Sequence, residues 1–208
     1  MMPGYLLLLP AVALLVWLAD GIRRIGAVSP GTPIGKRPGT ALLLIDLQAV
    51  FWDEGPYDDA AKDAAQSAIL NAVIGAKAAD LPVIAVRQEW SIPSTKLIAK
   101  LTMKGKAVEG TPGTQIAAPF EGLADHVLIK RVQDSFETGE LDRLLERLDV
   151  RTLRIAGLDL SYCVARTALA ALRRGYHVEL ITRATLCENQ TAADRTRDML
   201  SAKGVVLR

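Results

Sequence analysis

Between Leu153 and Gly175 the chain reads as a buried strand, a glycine turn and a helix whose first turn carries a cysteine. Leu153, Ile155 and Ala156 supply the apolar strand, and Gly157 permits a tight exit from it. From Val164 the apolar residues Val164, Ala168, Leu169, Ala171 and Leu172 recur at helical spacing, and Gly175 stops the helix. Cys163 therefore falls where unpaired backbone N–H groups and the positive end of a helix dipole favour a thiolate. In that setting a thiol becomes a nucleophile. The same position also suits a small buried hydrophobe, the usual role of a free cysteine.

Other strand ends bear on that choice. Ala41-Leu-Leu-Leu-Ile-Asp46 is a continuous apolar run ending in a carboxylate, as a strand buried on both faces would be. Residues 58–79 follow a helical pattern with Asp58 or Asp59 as cap, and Pro82–Arg87 is a second buried strand. Residues 92–119 lack a clean period and hold several glycines, so they read as a long loop of a kind that often carries function. A third strand, Val127–Lys130, ends on a lysine. A helix at 141–148, the strand at 153–156, the cysteine helix, a strand at 177–182, a helix at 192–203 and a short strand at 204–207 complete the chain.

Strands alternating with helices pair in parallel through right-handed crossovers. The expected fold is α/β: a three-layer α/β/α sandwich around a mostly parallel, roughly six-stranded, Rossmann-type sheet. Ligands of such sheets bind beyond the carboxyl ends of the strands. Asp46, Lys130 and Cys163 all lie at or just past those ends, so one edge of the sheet receives three reactive side chains. A cysteine attacking a carbonyl carbon needs a base for its proton, and Asp46 can be that base. Lys130 can hold Asp46 ionised and stabilise a thiolate. Backbone N–H groups in the Gly157–Cys163 turn can receive the oxyanion. Taken singly, Asp46 would be a turn or cap residue and Lys130 a strand-end lysine; together with Cys163 they suggest acyl transfer through a thioester.

Composition excludes several alternatives. At 208 residues with a net charge of +2, the chain is one domain without an electrostatic reason to bind nucleic acid. Its two cysteines, Cys163 and Cys187, and two histidines, His126 and His177, show no CxxC or HxxxH spacing, so no metal site is expected. A Cys163–Cys187 disulfide would disable the thiol, so a reducing, cytoplasmic setting is expected.

Met1 to Ala19 contains no charged side chain. A spanning helix needs about 20 apolar residues, so this run is just long enough, and Trp17, Arg23 and Arg24 would mark an inner interface. Residues 1–26 are therefore read as a hydrophobic segment able to serve as a single-pass membrane anchor through residues 1–19. On that reading the body is tethered to the inner face of the cytoplasmic membrane. An ordinary surface helix or a misplaced start codon are the alternatives. Residues 27–40, rich in Pro and Gly, read as a linker, and 41–208 as the catalytic domain.

From Thr40 onward the pattern resembles the isochorismatase-like cysteine hydrolases, the superfamily of nicotinamidases and N-carbamoyl amidohydrolases. The resemblance rests on four motifs in order. They are Leu44-Ile45-Asp46-Leu47-Gln48 followed by Phe51, then Gly110-Thr111-Pro112-Gly113, then Lys130 with Phe136 six residues on, then Gly157 with Cys163-Val164-Ala165-Arg166-Thr167-Ala168. The resemblance implies a catalytic triad of Asp46, Lys130 and Cys163. It also implies a cis peptide at Leu158–Asp159 and an oxyanion hole formed by the N–H groups of Asp159 and Cys163. Leu160 stands where the family usually has Thr, Ala49 where Asn is common, and Arg183 where Asp is frequent. Nicotinamidases hold a metal through an Asp and two His after the second strand; Glu89 and Ser91 occupy two of those positions here, so no catalytic zinc and no other cofactor is expected. True isochorismatases lack the cysteine.

The activity so implied is hydrolysis of a C–N bond in a small amide or N-carbamoyl compound. Phe51, Arg87, Trp90 and Phe136 are the candidate substrate-pocket residues, Arg87 as partner of a substrate carboxylate. Each has a plainer role open to it, in the core, in a loop or at a solvated strand end. A small-molecule substrate and a homo-oligomer are the expected partners. Two other functions compete: an impaired relative that keeps the fold to bind a ligand or partner, and a redox protein pairing Cys163 with Cys187.

Overall fold

A computed structural model describes residues 5–208. Seven helices and six strands alternate along it: α1 (Tyr5–Ile25), β1 (Gly39–Ile45), α2 (Ala49–Trp52), α3 (Asp59–Ala78), β2 (Val83–Gln88), α4 (Pro93–Thr102), β3 (His126–Lys130), α5 (Glu140–Arg147), β4 (Val150–Gly157), α6 (Ala165–Arg173), β5 (His177–Thr185), α7 (Gln190–Ala202) and β6 (Val206–Leu207). The strands form one sheet in the order β3-β2-β1-β4-β5-β6. Every pairing in it is parallel. Helices cover both faces, giving the expected three-layer sandwich.

β1 runs through the middle, and its unbroken apolar sequence follows from that position. Ala41, Leu43 and Ile45 feed the core packed under α5, α6 and α7, whereas Leu42 and Leu44 feed the core under α3. A strand buried on both faces has no polar side to alternate with. Asp58 caps α3 by accepting the Ala61 N–H at 2.8 Å. From β1 the chain steps outward to β2 and β3, then crosses back to the other side of β1 and steps outward again through β4, β5 and β6, so the strand order reverses between β1 and β4. A cleft opens beyond the carboxyl ends of strands at such a reversal.

Residues 92–119 are more ordered than their sequence suggests. Pro93 stands in the first turn of α4, where its missing N–H costs nothing. The Thr111–Gln115 stretch then folds back on α2 through Ala49 N–H to Gln115 O and Val50 N–H to Gly113 O. Gly113 has φ +84°, and a Cβ there would stand 2.9 Å from Val50 Cβ, so this contact needs glycine.

The membrane-anchor reading of residues 1–19 is overturned. Among the described residues no helix is long and apolar enough to cross a membrane; residues 1–4 of that run lie outside the described part. Past the apolar run, α1 carries Asp20, Arg23 and Arg24, with Asp20 joined to both arginines. It packs along α4, and a Cβ on Gly21 would stand 2.8 Å from Ser94 Cβ and Ile98 Cδ1. The Ile25 carbonyl then accepts the Gln133 N–H at 3.1 Å. Only the C-terminal part of α1 meets the body: Gly21 is buried, whereas Val12, Leu14, Leu15 and Val16 of the apolar run stay exposed.

Residues 27–38 carry no regular secondary structure. They lie against the body through Ser29 N–H to Asp134 Oδ2 at 2.7 Å and Ile34 N–H to Arg174 O at 2.8 Å.

Candidate active site

Three strand ends bring three side chains together. At the end of β1, Asp46 adopts φ 54° and its N–H is bonded to Val86 O. That left-handed turn, unusual for a residue with a side chain, directs the carboxyl inward, where Asp46 is 2 % exposed. Lys130 closes β3 in register with Gln88 of β2 and is completely buried. Because β2 separates β3 from β1, two strand spacings or roughly 9–10 Å must be bridged. Among the basic residues that suit such a gap, lysine has the long flexible stem and the compact charge.

The Lys130 Nζ lies 3.0 Å from Asp46 Oδ2, 3.2 Å from Cys163 Sγ, 2.5 Å from Gln88 Oε1 and 3.3 Å from Val132 O. An ammonium has three N–H donors. Four acceptors therefore compete for them, which fixes the cation at the centre without saturating every neighbour. Asp46 Oδ1 is buried with no hydrogen-bond partner, leaving one carboxylate oxygen free to take a proton. Gln88 is itself held: its N–H donates to Gln48 Oε1 at 2.6 Å, and Gln48 Nε2 donates to the carbonyls of Gln88 and Thr114.

The acidities follow from this enclosure. Burial raises the Asp46 carboxyl above its ordinary value, with Lys130 pulling the other way. Burial disfavours the Lys130 ammonium, but the nearby Asp46 and Cys163 outweigh it and hold the amine protonated. Burial also pushes the Cys163 thiol up, Asp46 adds to that, and Lys130 opposes both. The enclosure thus favours the protonated thiol over a free thiolate. The helix start alone suggested a ready-made thiolate. Instead, Cys163 sits in a π-helical turn, Leu160–Val164, ahead of α6, and burial is the main influence on its acidity.

The cysteine turn is tightly specified. Gly157 has φ +122°, and a Cβ there would lie 2.1 Å from Ile45 O, so β4 meets β1 closely only because this residue is glycine. The Leu158–Asp159 peptide is cis. Within the turn, Leu160 N–H donates to Leu186 O, Ser161 N–H to Asp159 Oδ1, and the Tyr162 and Val164 N–H groups to Asp159 O. Asp159 and Cys163, the two candidate oxyanion donors, are the backbone N–H groups outside that set. Leu160, at the position where the resemblance expected Thr, is fully buried in the core.

A cavity of about 610 Å³ opens onto Asp46 and Cys163. Phe51 and Trp90 line it, as the sequence suggested. Arg87 and Phe136 do not. Arg87 is drawn to Glu89 at 3.1 Å and donates to Thr114 O at 2.8 Å. Phe136 is core: it stacks beside Tyr176 at 5.8 Å between ring centroids, and the Arg174 guanidinium lies 4.5 Å over its ring. Asp134 braces the Lys130 loop from within by accepting the Phe136 N–H at Oδ1, and Ser135 ties that loop to α6 through Oγ to Thr167 Oγ1 at 2.8 Å. Sequence reasoning did not single out Tyr57, Met103, Lys104, Lys106, Gln133 or Glu188, which complete the walls. Only Glu188 carried a usable signal, since it follows the carboxyl end of a recognised strand.

A zinc ion like that of the nicotinamidases does not fit these residues. Glu89 is turned to Arg87, and Ser91 is a poor ligand beside it. Among the described residues no three His, Cys, Asp or Glu side chains converge on a point that could hold a metal.

Known proteins of similar sequence and shape agree with this architecture. Streptothricin hydrolase of Streptomyces noursei is 29% identical over 160 residues, which cover 74% of this chain and 57% of that protein. The chain thus spans little more than half the length of that relative. An isochorismatase family protein from Desulfovibrio vulgaris superposes with a TM-score of 0.71 at 27% identity, covering 83% of this chain and 94% of that one. N-carbamoylsarcosine amidase from Thermoplasma acidophilum gives a TM-score of 0.69 at 20% identity, covering 82% and 96%. The sequence pattern of the isochorismatase domain matches residues 40–207. With nearly the whole body matched, and β1, β3 and the cysteine turn in their expected order, this chain belongs to the isochorismatase family.

Proposed function

We propose that the chain is a cysteine hydrolase that cleaves a C–N bond of a small amide or N-carbamoyl compound through a thioester, with Asp46, Lys130 and Cys163 as its catalytic residues. One observation carries the reading: Lys130 Nζ stands 3.2 Å from Cys163 Sγ and 3.0 Å from Asp46 Oδ2. A buried acid, a fixed cation and a thiol on the wall of one cavity are the parts that acyl transfer needs. The names of the similar proteins, a hydrolase and an amidase, support the amide class.

The steps follow from the acidities. The substrate carbonyl enters beside Cys163, with its oxygen towards the N–H groups of Asp159 and Cys163. Asp46 takes the thiol proton as Sγ bonds to the carbonyl carbon, and Lys130 offsets the charge that passes between them. When the tetrahedral adduct collapses, the C–N bond breaks and the nitrogen leaves as an amine or ammonia with the proton from Asp46. The thioester remains. Water then gives a proton to Asp46 and adds to the thioester carbon. Collapse expels the Cys163 sulfur, which recovers the proton from Asp46, and the acid product departs. Raising Asp46 suits this work, because a stronger base takes a thiol proton more readily.

The test is intact-protein mass spectrometry of the full chain, quenched during incubation with a panel of small amides and N-carbamoyl compounds, with Cys163→Ser as control. An added mass on the wild type that is absent from the variant is expected. If no compound in the panel leaves an adduct or is turned over, the reading fails and a ligand-binding relative takes its place.

A further inference from the structure

The Asp159 side chain has a task separate from that of its backbone. Its carboxylate accepts three hydrogen bonds from three segments of the chain. Oδ1 accepts the Ser161 N–H at 2.8 Å, and Oδ2 accepts the Glu188 N–H at 3.0 Å and the Tyr57 hydroxyl at 3.3 Å. The first bond caps the π-helical turn that carries Cys163. The other two reach the loop between α2 and α3 and the loop between β5 and α7. Tyr57, Asp159 and Glu188 all line the cavity beside Cys163. The β5–α7 loop is also tied to the turn through Leu160 N–H to Leu186 O, Leu186 N–H to Gly157 O and Ser161 Oγ to Cys187 Sγ at 3.2 Å, while Asp159 supplies the side-chain hydrogen bond that reaches the half-buried Tyr57.

We infer that the Asp159 carboxylate is a positioning residue that locks the nucleophile's turn to two walls of the cavity, one oxygen serving the turn and the other the walls. The inference rests on the proposed hydrolase reading, in which Cys163 is the nucleophile. A carboxylate suits the position because it is acceptor-only, with two oxygens and lone pairs enough for three donors. An amide keeps one acceptor oxygen but turns an NH2 group on the other donors. Tyr57 remains a donor throughout the working range, since burial first and then Asp159 raise its phenol well above the ordinary tyrosine value.

The test needs no substrate. Cys163 in the full chain is alkylated with iodoacetamide across a range of pH, and peptide mass spectrometry separates it from Cys187. The charged groups facing the thiol are Asp46 from β1 and Lys130 from β3, with the Tyr57 phenol from the α2–α3 loop, and all three are retained. Asp159→Asn removes the charge and keeps an acceptor for Ser161 N–H; Asp159→Ala removes both. Burial is the main cause of the raised thiol, so a loosened turn that wets the thiol lowers the pH midpoint. The midpoint of Asp159→Ala is expected about one pH unit or more below that of Asp159→Asn. Coincident midpoints overturn the inference, whether or not the wild type forms acyl adducts; failure of the hydrolase reading shows instead as missing adducts on the wild type. If Asp159→Ala does not fold, Asp159→Ser decides: its hydroxyl can cap Ser161 but cannot reach both walls. Its midpoint is expected to match that of Asp159→Asn, with Glu188 N–H losing its protection from hydrogen exchange. A Glu188 N–H that stays protected overturns the inference.

Discussion

Lys130 Nζ stands 3.0 Å from Asp46 Oδ2, and neither side chain meets bulk solvent. Taking two charges out of water is costly, and removing one partner leaves the other stranded at a cost of about 3–5 kcal/mol. Lys130→Met is therefore expected to destabilise the fold by about that amount in chemical denaturation. Adding Asp46→Asn to it should recover most of the loss while restoring no hydrolysis. If both single variants prove as stable as the wild type, the pair is not the charged, enclosed contact described above.

Asp46 raises the Cys163 thiol and Lys130 lowers it. Asp46→Asn removes the first influence and keeps the second. Iodoacetamide should therefore alkylate Cys163 faster at neutral pH in this variant than in the wild type. Amide hydrolysis by the same variant should fall by about 10²–10⁴, the usual contribution of a general base. Slower alkylation would show that Asp46 is not what holds the thiol protonated.

The acid limb of activity has a predictable place. Asp46 must be ionised to accept the thiol proton, and burial raises its pKa above the ordinary aspartate value of about 3.9. As pH falls, hydrolysis should therefore be lost earlier than an exposed aspartate would require. As the carboxyl is raised by folding, its ionisation also opposes the folded state: this term is absent below pH 3.9 or so and grows as pH rises towards the folded value. An acid limb below pH 4 or so would contradict the assignment.

Wall and core aromatics should separate cleanly. Phe136→Ala empties a fully buried site and should cost about 3–5 kcal/mol of stability. Phe51→Ala, at the half-buried cavity wall, should instead raise KM with a smaller effect on the melting temperature. Thermal melts and steady-state kinetics on both variants distinguish these outcomes.

How much of this the chain reveals by itself depends on where each signal resides. β1 and the Cys163 turn are local: an apolar run, a glycine and a helical period lie within twenty residues, so their type and place can be read directly. The convergence of Asp46, Lys130 and Cys163 follows from topology, since parallel strands send all their carboxyl ends to one edge. The walls are different. Tyr57, Lys104 and Gln133 come from separate connections, and no local pattern says that these meet. Phe136 and Phe51 are the same residue type, and only packing tells that one faces the core and the other the cavity. Arg87 had a plausible ligand in a substrate carboxylate, but Glu89 two residues on is a closer one. The apolar run of α1 was ambiguous for a further reason: hydropathy records aversion to water and does not say whether a surface covers the run, and here Val12, Leu14, Leu15 and Val16 stay exposed.

The measurement that bears most directly on the central claim is the mass of Cys163 during turnover of the full chain. Quenched samples of the wild type with a cleaved amide or N-carbamoyl compound should carry the acyl group on the Cys163 peptide. Asp46→Asn should carry far less, and Cys163→Ser none. Turnover of such a compound by Cys163→Ser at the wild-type rate, or an adduct located on Cys187, would contradict the account.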